Sequence, residues 1–197
     1  MNASHSHCIL ALNPGLSYHS GVRRHTHEDD VFTIRPINDN HEHQDWLAGF
    51  LAEQWGSPRM VTRGALWDAS ALPGFAAVKD ADLFGDAPVI GVATYHIVKR
   101  TCELTTLNSV QENSGVGTAL VEAVTERARA AGCKTLIVVT TNDNLRALRF
   151  YQRRGFVIAA VRVNEMARSR QVKPDIPLMG FDGIPLRDEI ELEKALL

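Results

Sequence analysis

The chain contains 197 residues, a length that predicts one hydrophobic core and excludes a multidomain assembly. Hydrophobic residues make up 45% and charged residues 22%, which excludes a wholly disordered or collagen-like chain. The 21 Lys and Arg residues nearly balance the 23 Asp and Glu residues, and the net charge of −2 makes nucleic acid an unfavourable partner.

The N-terminal segment differs in composition from the rest. Seven of the eight histidines lie before residue 44, and residues 1–30 show neither a helical nor a strand period. We interpret residues 1–30 as a flexible histidine-rich extension and residues 31–197 as a single domain. The pairs His5/His7 and His25/His27 are of a type that binds metals, but nothing in the segment fixes their geometry, so we expect no metal.

The first half of the domain predicts a strand, a helix and an antiparallel meander. Residues 32–37 alternate as a first strand, and apolar residues recur at helical spacing over residues 46–55, up to Gly56. Three further strands, separated by turn-forming residues, are expected at 74–78, 89–95 and 101–107.

The second half alternates helices with strands, which implies a right-handed crossover and some parallel pairing. The predicted segments are helices at 117–131 and 145–153, strands at 135–141 and 156–163, a proline-rich loop at 173–185 and a final strand containing Ile190 and Leu192. The predicted fold class is therefore α/β of the α+β kind: a mostly antiparallel central sheet flanked by helices, with one parallel strand-helix-strand section.

A glycine-containing loop at residues 111–118 joins a predicted strand to a predicted helix. The unpaired N–H groups of a first helical turn and the helix dipole favour an anion, and glycine lets a diphosphate approach the backbone. The loop lacks the Lys-Ser/Thr pair of a Walker loop and the third glycine of the dinucleotide fingerprint. Taken alone, it also fits an ordinary tight turn.

A second motif decides between a phosphate-binding loop and an ordinary tight turn. Residues 144–156 read Asn-Leu-Arg-Ala-Leu-Arg-Phe-Tyr-Gln-Arg-Arg-Gly-Phe. This stretch resembles the Asn-x-x-Ala-x-x-Phe-Tyr-x-x-x-Gly-Phe signature of GNAT acetyltransferases, and the glycine loop lies at the separation that family shows. The resemblance covers residues 32–163. The wording of residues 173–189 is similar to a bacterial branch of that superfamily without an assigned substrate.

The resemblance implies a GNAT-type fold and acetyl-CoA as the acetyl donor. The pyrophosphate would rest on backbone amides of the glycine loop, and the pantetheine arm on the preceding strand. Glu112 departs from the family pattern, so either its carboxylate points away from the phosphates or Gln111 takes that place. The implied acetyl-CoA-binding residues are Leu107, Asn108, Ser109, Asn113, Ser114, Gly115, Val116, Gly117, Thr118, Asn144 and Tyr151.

The resemblance also implies an acid and a base. Tyr151 would protonate the departing thiolate, the alternative being a tyrosine packed in the core. The attacking amine must lose a proton, and Glu103, placed by strand alternation on one face with Thr105 and Leu107, is the preferred base. A salt-bridged structural Glu103 is the alternative, and His96 is the second choice of base.

The acceptor is left open among a peptide N-terminus, a lysine, a polyamine, an amino sugar and an amino acid. Trp55, Arg63, Trp67, Arg168 and Asp188 are candidates for the wall of its pocket, although a core or surface role is the default for each. The reading is an N-acetyltransferase for a small-molecule or peptide amine. The alternative is a non-catalytic acyl-CoA-binding regulatory module.

The three cysteines, Cys8, Cys102 and Cys133, are too few and too scattered for a disulfide framework or a zinc site. The two later ones are expected to be small buried residues rather than nucleophiles. No stretch approaches the roughly 18 apolar residues of a membrane span. We therefore expect a cytoplasmic monomer or homodimer with no metal and no membrane partner.

Overall fold

The computed structural model describes residues 23–27, 30–37, 44–79, 88–111 and 114–196. Its strands are β1 (Arg23–His27), β2 (Asp30–Ile37), β3 (Arg59–Thr62), β4 (Ala65–Asp68), β5 (Gly74–Lys79), β6 (Val89–Val98), β7 (Thr101–Ser109), β8 (Thr135–Thr141), β9 (Val157–Arg162) and β10 (Glu189–Ala195). Its helices are α1 (Gln44–Trp55), α2 (Val116–Ala130), α3 (Leu145–Gln152) and α4 (Glu165–Val172), with 3₁₀ turns at Ala69–Ala71 and Phe181–Gly183.

One large sheet has the strand order β1-β2-β5-β6-β7-β8-β10-β9, and β3 pairs with β4 in a separate hairpin. The pairs of the large sheet are antiparallel except β7–β8, which is parallel. Helix α2 supplies the crossover that a parallel pair requires. The predicted fold class, including its parallel strand-helix-strand section, is confirmed.

The larger core lies between the sheet and α2. Val116, Leu120 and Val124 recur every four residues on the helix and are fully buried, in one cluster with Leu136 of β8. At Gly91 of β6 the helix comes so close that a Cβ atom would lie 2.5 Å from Val116 Cγ1. Glycine at this position therefore fixes the distance between the first turn of α2 and the sheet.

A smaller core covers the opposite face of the sheet under α1. Leu47 and Leu51 of α1 are fully buried against Ile37 and Val92. Val92 belongs to this cluster while its neighbour Ala93 belongs to the larger one. Because successive strand residues point to opposite faces, α1 and α2 pack on opposite sides of the sheet.

The sheet opens between β7 and β8. Residues 101–104 of β7 pair with residues 135–138 of β8. Although β7 continues to Ser109 and β8 to Thr141, the two strands do not pair with each other beyond that point in the described part of the chain. A β-bulge marks the point of separation, since Thr94 pairs with Thr106 while Tyr95 pairs with Leu104, which leaves Thr105 extra. The two strands therefore diverge beyond residues 104 and 138 and leave a cleft between them.

Three elements lie outside the predicted set. Strand β1 falls within the extension predicted at residues 1–30, where Arg23–His27 pairs with β2; residues 1–22 lie outside the described residues, so the extension stays a prediction there. The β3–β4 hairpin follows α1, and α4 follows β9. The hairpin and α4 both contribute to the site described next.

Candidate active site

The first turn of α2 is open towards the loop that precedes it. Gly115 is the N-cap with φ +81°, a left-handed conformation that suits glycine, and no side chain of the described residues caps the helix. The first turn carries no acidic residue. A helix end of this kind suits an anion. Glu112 and Asn113 lie outside the described residues, while the carbonyl of Gln111 accepts hydrogen bonds from the hydroxyls of Ser109 (2.7 Å) and Ser114 (3.0 Å).

A guanidinium group stands beside this helix end. Arg154 donates through Nε to Thr118 Oγ1 at 3.2 Å and through a second nitrogen to the same oxygen. Its guanidinium carbon lies 3.5 Å from the centre of the Phe150 ring, whose atoms are also 3.4 Å from where a Gly117 side chain would begin. The positive charge reinforces the anion preference of the helix end. Sequence analysis did not single out Arg154.

Asn144 and Tyr151 occupy the two ends of α3. Asn144 is the N-cap, and its Oδ1 accepts a hydrogen bond from the N–H of Ala147 at 3.0 Å. Tyr151 lies in the larger core with edge-to-face contacts to Phe150 and Phe156. Burial raises the pKa of Tyr151, so its hydroxyl keeps its proton at neutral pH and can act as a proton donor.

The predicted pantetheine-binding residues lie on β7 past its last pairing with β8. Leu107 packs against the larger core, whereas Asn108 Oδ1 accepts a hydrogen bond from Trp55 Nε1 of α1 at 2.7 Å. The prediction that Glu103 and Leu107 share a face is wrong, because the bulge at Thr105 reverses the alternation of the strand.

Glu103 lies on the other face of β7, where only 2% of its side chain is exposed. Its Oε2 accepts a hydrogen bond from Arg63 and lies 3.6 Å from His96 Nε2, while Oε1 has no hydrogen-bond partner in the described part of the chain. His96 Nδ1 is 3.1 Å from the hydroxyl of the bulged Thr105, and the ring stacks on Trp67 at 4.0 Å. Burial lowers the pKa of His96, an effect that Glu103 opposes, so the ring is neutral at pH 7.

The turn of the β3–β4 hairpin crosses the cleft. Arg63 and Gly64 form this two-residue turn with φ +50° and +74°, as a type I′ turn requires. The Arg63 side chain bonds Glu103 on β7, and its backbone N–H donates to Glu189 Oε2 on β10 at 2.9 Å. Since β8 lies between β7 and β10, the turn spans the strand end at which the sheet opens.

Two further acidic groups accompany Glu189 and were missed by sequence reasoning. Arg162 pairs with both Glu189 (3.3 Å) and Glu191 (2.6 Å), and Glu165 of α4 lies 3.4 Å from Arg168. Burial raises the pKa of Glu189, whose side chain is 1% exposed. The alternation of charged residues with Ile190 and Leu192 along β10 was the available signal, because it places the glutamates on the face away from the larger core.

The five candidates for the wall of the acceptor pocket do not come together in one place, since Trp55 bonds Asn108 instead. Arg63 and Trp67 join Glu103 and His96, and Arg168 reaches the same cluster through Glu165. Asp188 has a structural role instead, since it accepts hydrogen bonds from Arg187 and from the N–H of Asn164, which lower its pKa.

Both described cysteines, Cys102 and Cys133, are buried free thiols, and burial raises the pKa of Cys102 to about 12. Cys102 is therefore a protonated core residue at neutral pH and not a nucleophile. Among the described residues, no group of three or more His, Cys, Asp or Glu side chains is arranged to hold a metal ion. No helix in the described part of the chain is long and apolar enough to cross a membrane.

Comparison with known proteins agrees with this geometry. Residues 40–156 match the model of the acetyltransferase (GNAT) family. The uncharacterized protein YdhI of Bacillus subtilis (strain 168) is 40% identical over 166 residues, which are 84% of this chain and 99% of that protein. An IAA acetyltransferase from Bacillus cereus ATCC 14579 shares the fold with a TM-score of 0.57 and 22% identity, over 83% of this chain and 99% of that one. A Bacillus subtilis acetyltransferase solved in complex with CoA shares it with a TM-score of 0.55 and 20% identity, over 83% and 98%.

The fold, with its one parallel strand pair and helix α2 as the crossover, is shared with solved acetyltransferases. The chain belongs to the GNAT acetyltransferase family, since the family model covers more than half of its length and the Bacillus subtilis relative matches almost end to end.

Proposed function

We propose that the protein transfers the acetyl group of acetyl-CoA directly to a primary amine in the cleft between β7 and β8. The observation that carries the proposal is the position of two proton-transfer groups on opposite sides of the sheet that opens between β7 and β8. Tyr151 lies in the larger core on the α2 side, and Glu103 lies on the other side, bonded to Arg63 of the β3–β4 hairpin.

The described residues fit acetyl-CoA. The first turn of α2 and the Arg154 guanidinium suit a diphosphate, and residues 107–109 of β7, which lie past the pairing of β7 with β8, suit the amide groups of a pantetheine arm. The Bacillus subtilis acetyltransferase that shares this fold was solved in complex with CoA. We assign the donor site to Leu107, Asn108, Ser109, Ser114, Gly115, Val116, Gly117, Thr118, Asn144 and Tyr151, together with Asn113 outside the described residues.

Acetyl-CoA supplies an activated acetyl thioester, and the chain supplies the proton transfers. As the C–N bond forms and the C–S bond breaks, Tyr151 donates its proton to the leaving sulfur. Glu103 accepts the proton that the ammonium of the acceptor must lose. The neutral His96 ring, 3.6 Å from Glu103, is the second candidate for this base. No acyl-enzyme is required, which agrees with the buried, protonated Cys102.

We place the acceptor, a small-molecule or peptide amine, on the hairpin face of the cleft. We also propose a cytoplasmic setting, because Cys102 and Cys133 are unpaired thiols. The protein would act there as a monomer or homodimer.

Replacement of Tyr151 by Phe tests the proposal while it preserves the ring contacts with Phe150 and Phe156. We expect kcat for CoA thiol release to fall about 100-fold or more, since general acid catalysis contributes about 10²–10⁴. The KM for acetyl-CoA should change little. Tyr95, another buried aromatic of the same core, is the matched control, and Tyr95→Phe should leave kcat near the wild-type value. Unchanged turnover in Tyr151→Phe at all pH values would remove the proton-donor role.

A further inference from the structure

The cluster of charged residues under the β3–β4 hairpin contains both carboxylates and guanidinium groups. Each of its carboxylates already has a cationic partner: Glu103 has Arg63, Glu189 and Glu191 have Arg162, and Glu165 has Arg168. Four carboxylates therefore share three guanidinium groups, which leaves at most one net negative charge, so the two positive charges of a diamine would exceed what the cluster can balance.

Three groups of the cluster have unused hydrogen-bonding capacity. Glu103 Oε1 and Trp67 Nε1 are buried and have no hydrogen-bond partner among the described residues. The guanidinium of Arg63 donates to Glu103 and to no other described residue, and 38% of its side chain is exposed. The cluster therefore offers one acceptor and two sets of donors.

These groups lie close together. Arg63 is bonded to Glu103, whose Oε2 lies 3.6 Å from His96 Nε2, and the His96 ring stacks on Trp67 at 4.0 Å. An unpaired buried donor or acceptor destabilises the protein, so a ligand that pairs with both the donor and the acceptor binds more tightly.

The conformation of Arg63 supports a role beyond forming the turn. Its φ of +50° lies in the left-handed region, where Asn or Gly would fit this turn type with less strain. A large charged residue in such a backbone conformation is more typical of a functional position than of one that stabilises the turn.

We propose that the acceptor is a zwitterionic amine whose carboxylate lies next to its amino group, as in an α-amino acid. The inference rests on the proposed acetyl transfer. The ammonium would bind Glu103 Oε1, and the carboxylate would accept from the guanidinium of Arg63 and the indole N–H of Trp67. The product is the N-acetyl amino acid, formed with release of the CoA thiol.

The other acceptor classes satisfy these groups less well. A polyamine carries only donors, so it would leave Trp67 Nε1 unpaired and set a second cation against Arg63. A phosphorylated amine would bring about two negative charges close to Glu189 and Glu165, and one guanidinium would not balance them. A guanidinium instead matches a single carboxylate in a two-pronged geometry.

Binding to the CoA-loaded protein tests the inference separately from turnover. Isothermal titration calorimetry measures the affinity of each L-amino acid and of the amine that lacks only its carboxylate. The pairs include leucine with isopentylamine and lysine with cadaverine. O-phosphoethanolamine and glucosamine represent the other oxygen-bearing amines. We expect at least one amino acid to bind about tenfold or more tightly than its decarboxylated counterpart.

Two variants connect that difference to the named groups. Trp67→Phe keeps the aromatic contact with His96 but removes the indole N–H. Arg63→Lys keeps the positive charge but removes the planar pair of N–H donors. Each substitution should reduce severalfold the ratio of affinities for the amino acid and its decarboxylated counterpart. Arg59→Gln changes an exposed arginine of the same hairpin and should leave the preference intact. A purely structural role of the indole N–H predicts no change in affinity in Trp67→Phe.

Equal or tighter binding of the decarboxylated amines, of phosphoethanolamine or of glucosamine would overturn the inference, as would the absence of binding by any amino acid. Thiol release with decarboxylated amines would then still support acetyl transfer. The opposite pattern, in which an amino acid binds but releases no thiol from acetyl-CoA, would contradict the proposed function and leave the recognition of a zwitterion standing.

Discussion

His96 is the described side chain of the site whose ordinary pKa lies nearest to neutral pH. Burial lowers the pKa of His96 in the folded protein, whereas the unfolded chain binds that proton near pH 6.5. Below about pH 6.5 the unfolded state therefore holds more protons than the folded state, so stability is lost as the pH falls towards the folded-state pKa.

His96→Gln should flatten this dependence. In urea unfolding between pH 7.5 and roughly pH 5, we expect the free energy of unfolding to fall less steeply in the variant than in the wild type. A constant offset between the two curves reflects the lost stacking on Trp67 and has no bearing on the test. Parallel curves would show that His96 titrates alike in both states.

The sequence predicts the proposed acid and base but not the residues that surround them. Tyr151 and Asn144 follow from a local helical motif, since both lie in one short segment. Glu103 was a reasonable choice of base, but its neighbours Arg63, Glu189 and Glu165 are distant in the chain and meet only after folding. Their contacts depend on tertiary packing, which no local pattern encodes.

At the scale of the elements, the first turn of α2 is the proposed phosphate-binding device. Ser114→Asp would place a carboxylate just before this turn. The helix dipole would favour that charge by about 0.3–1 kcal/mol, partly offset by the lost hydrogen bond to Gln111, so the unliganded protein should stay close to wild-type stability. The affinity for CoA should nevertheless fall about tenfold, because two like charges would meet.

Ser114→Asn is the matched control, since it has the size of the aspartate without its charge and should retain most of the affinity. The measurement is calorimetric titration with CoA at low salt, where the charge effect is largest. Equal affinities of the Asp and Asn variants would place the diphosphate away from this helix end.

The packing of α2 on β6 gives a prediction for stability. In Gly91→Ala the new Cβ would meet Val116 Cγ1 at 2.5 Å and the carbonyl oxygen of Asn108 at 2.8 Å. We expect a loss of about 1–3 kcal/mol in the free energy of unfolding, with weaker CoA binding because the first turn of α2 must move. Urea unfolding measures the loss, and no loss would mean that the contact relaxes freely.

Gly49→Ala serves as its control on α1. Nothing lies within 4 Å of a Cβ at that position, and the residue is exposed within a helix. The substitution should therefore stabilise the protein by about 0.5–1 kcal/mol, since alanine is the better helix former. Opposite signs for the two substitutions would separate steric crowding from helix propensity.

Long, strongly patterned elements were predictable, and short ones were not. Helix α2 has a regular apolar stripe and glycines at both ends, so its sequence predicts it well. The strands β3 and β4 are only four residues each, and their turn has Arg63 where Asn or Gly would have indicated a hairpin. Helix α4 buries one large apolar residue, Met166, and a single buried position gives no periodic signal.

At the scale of the whole molecule, the cleft joins two parts of one sheet. The antiparallel meander ends in β7, the β8–β10–β9 part begins at β8, and four residue pairs connect them at one end only. On one face of the sheet, the Arg63 turn connects Glu103, within that junction on β7, to Glu189 on β10 by side-chain and backbone hydrogen bonds. A ligand lying in the cleft would contact both parts, so it should stabilise the protein as a whole.

The central claim is that the acetyl group passes from acetyl-CoA to an amine in this cleft. The most direct test incubates the purified protein with acetyl-CoA labelled in its acetyl group and with α-amino acids, and follows thiol release and product mass together. We predict that the amine accelerates thiol release above hydrolysis, and that each thiol released matches one labelled acetyl group on nitrogen. Acetyl-CoA binding without acceleration of thiol release by any amine would contradict the claim and leave a protein that binds the donor without using it.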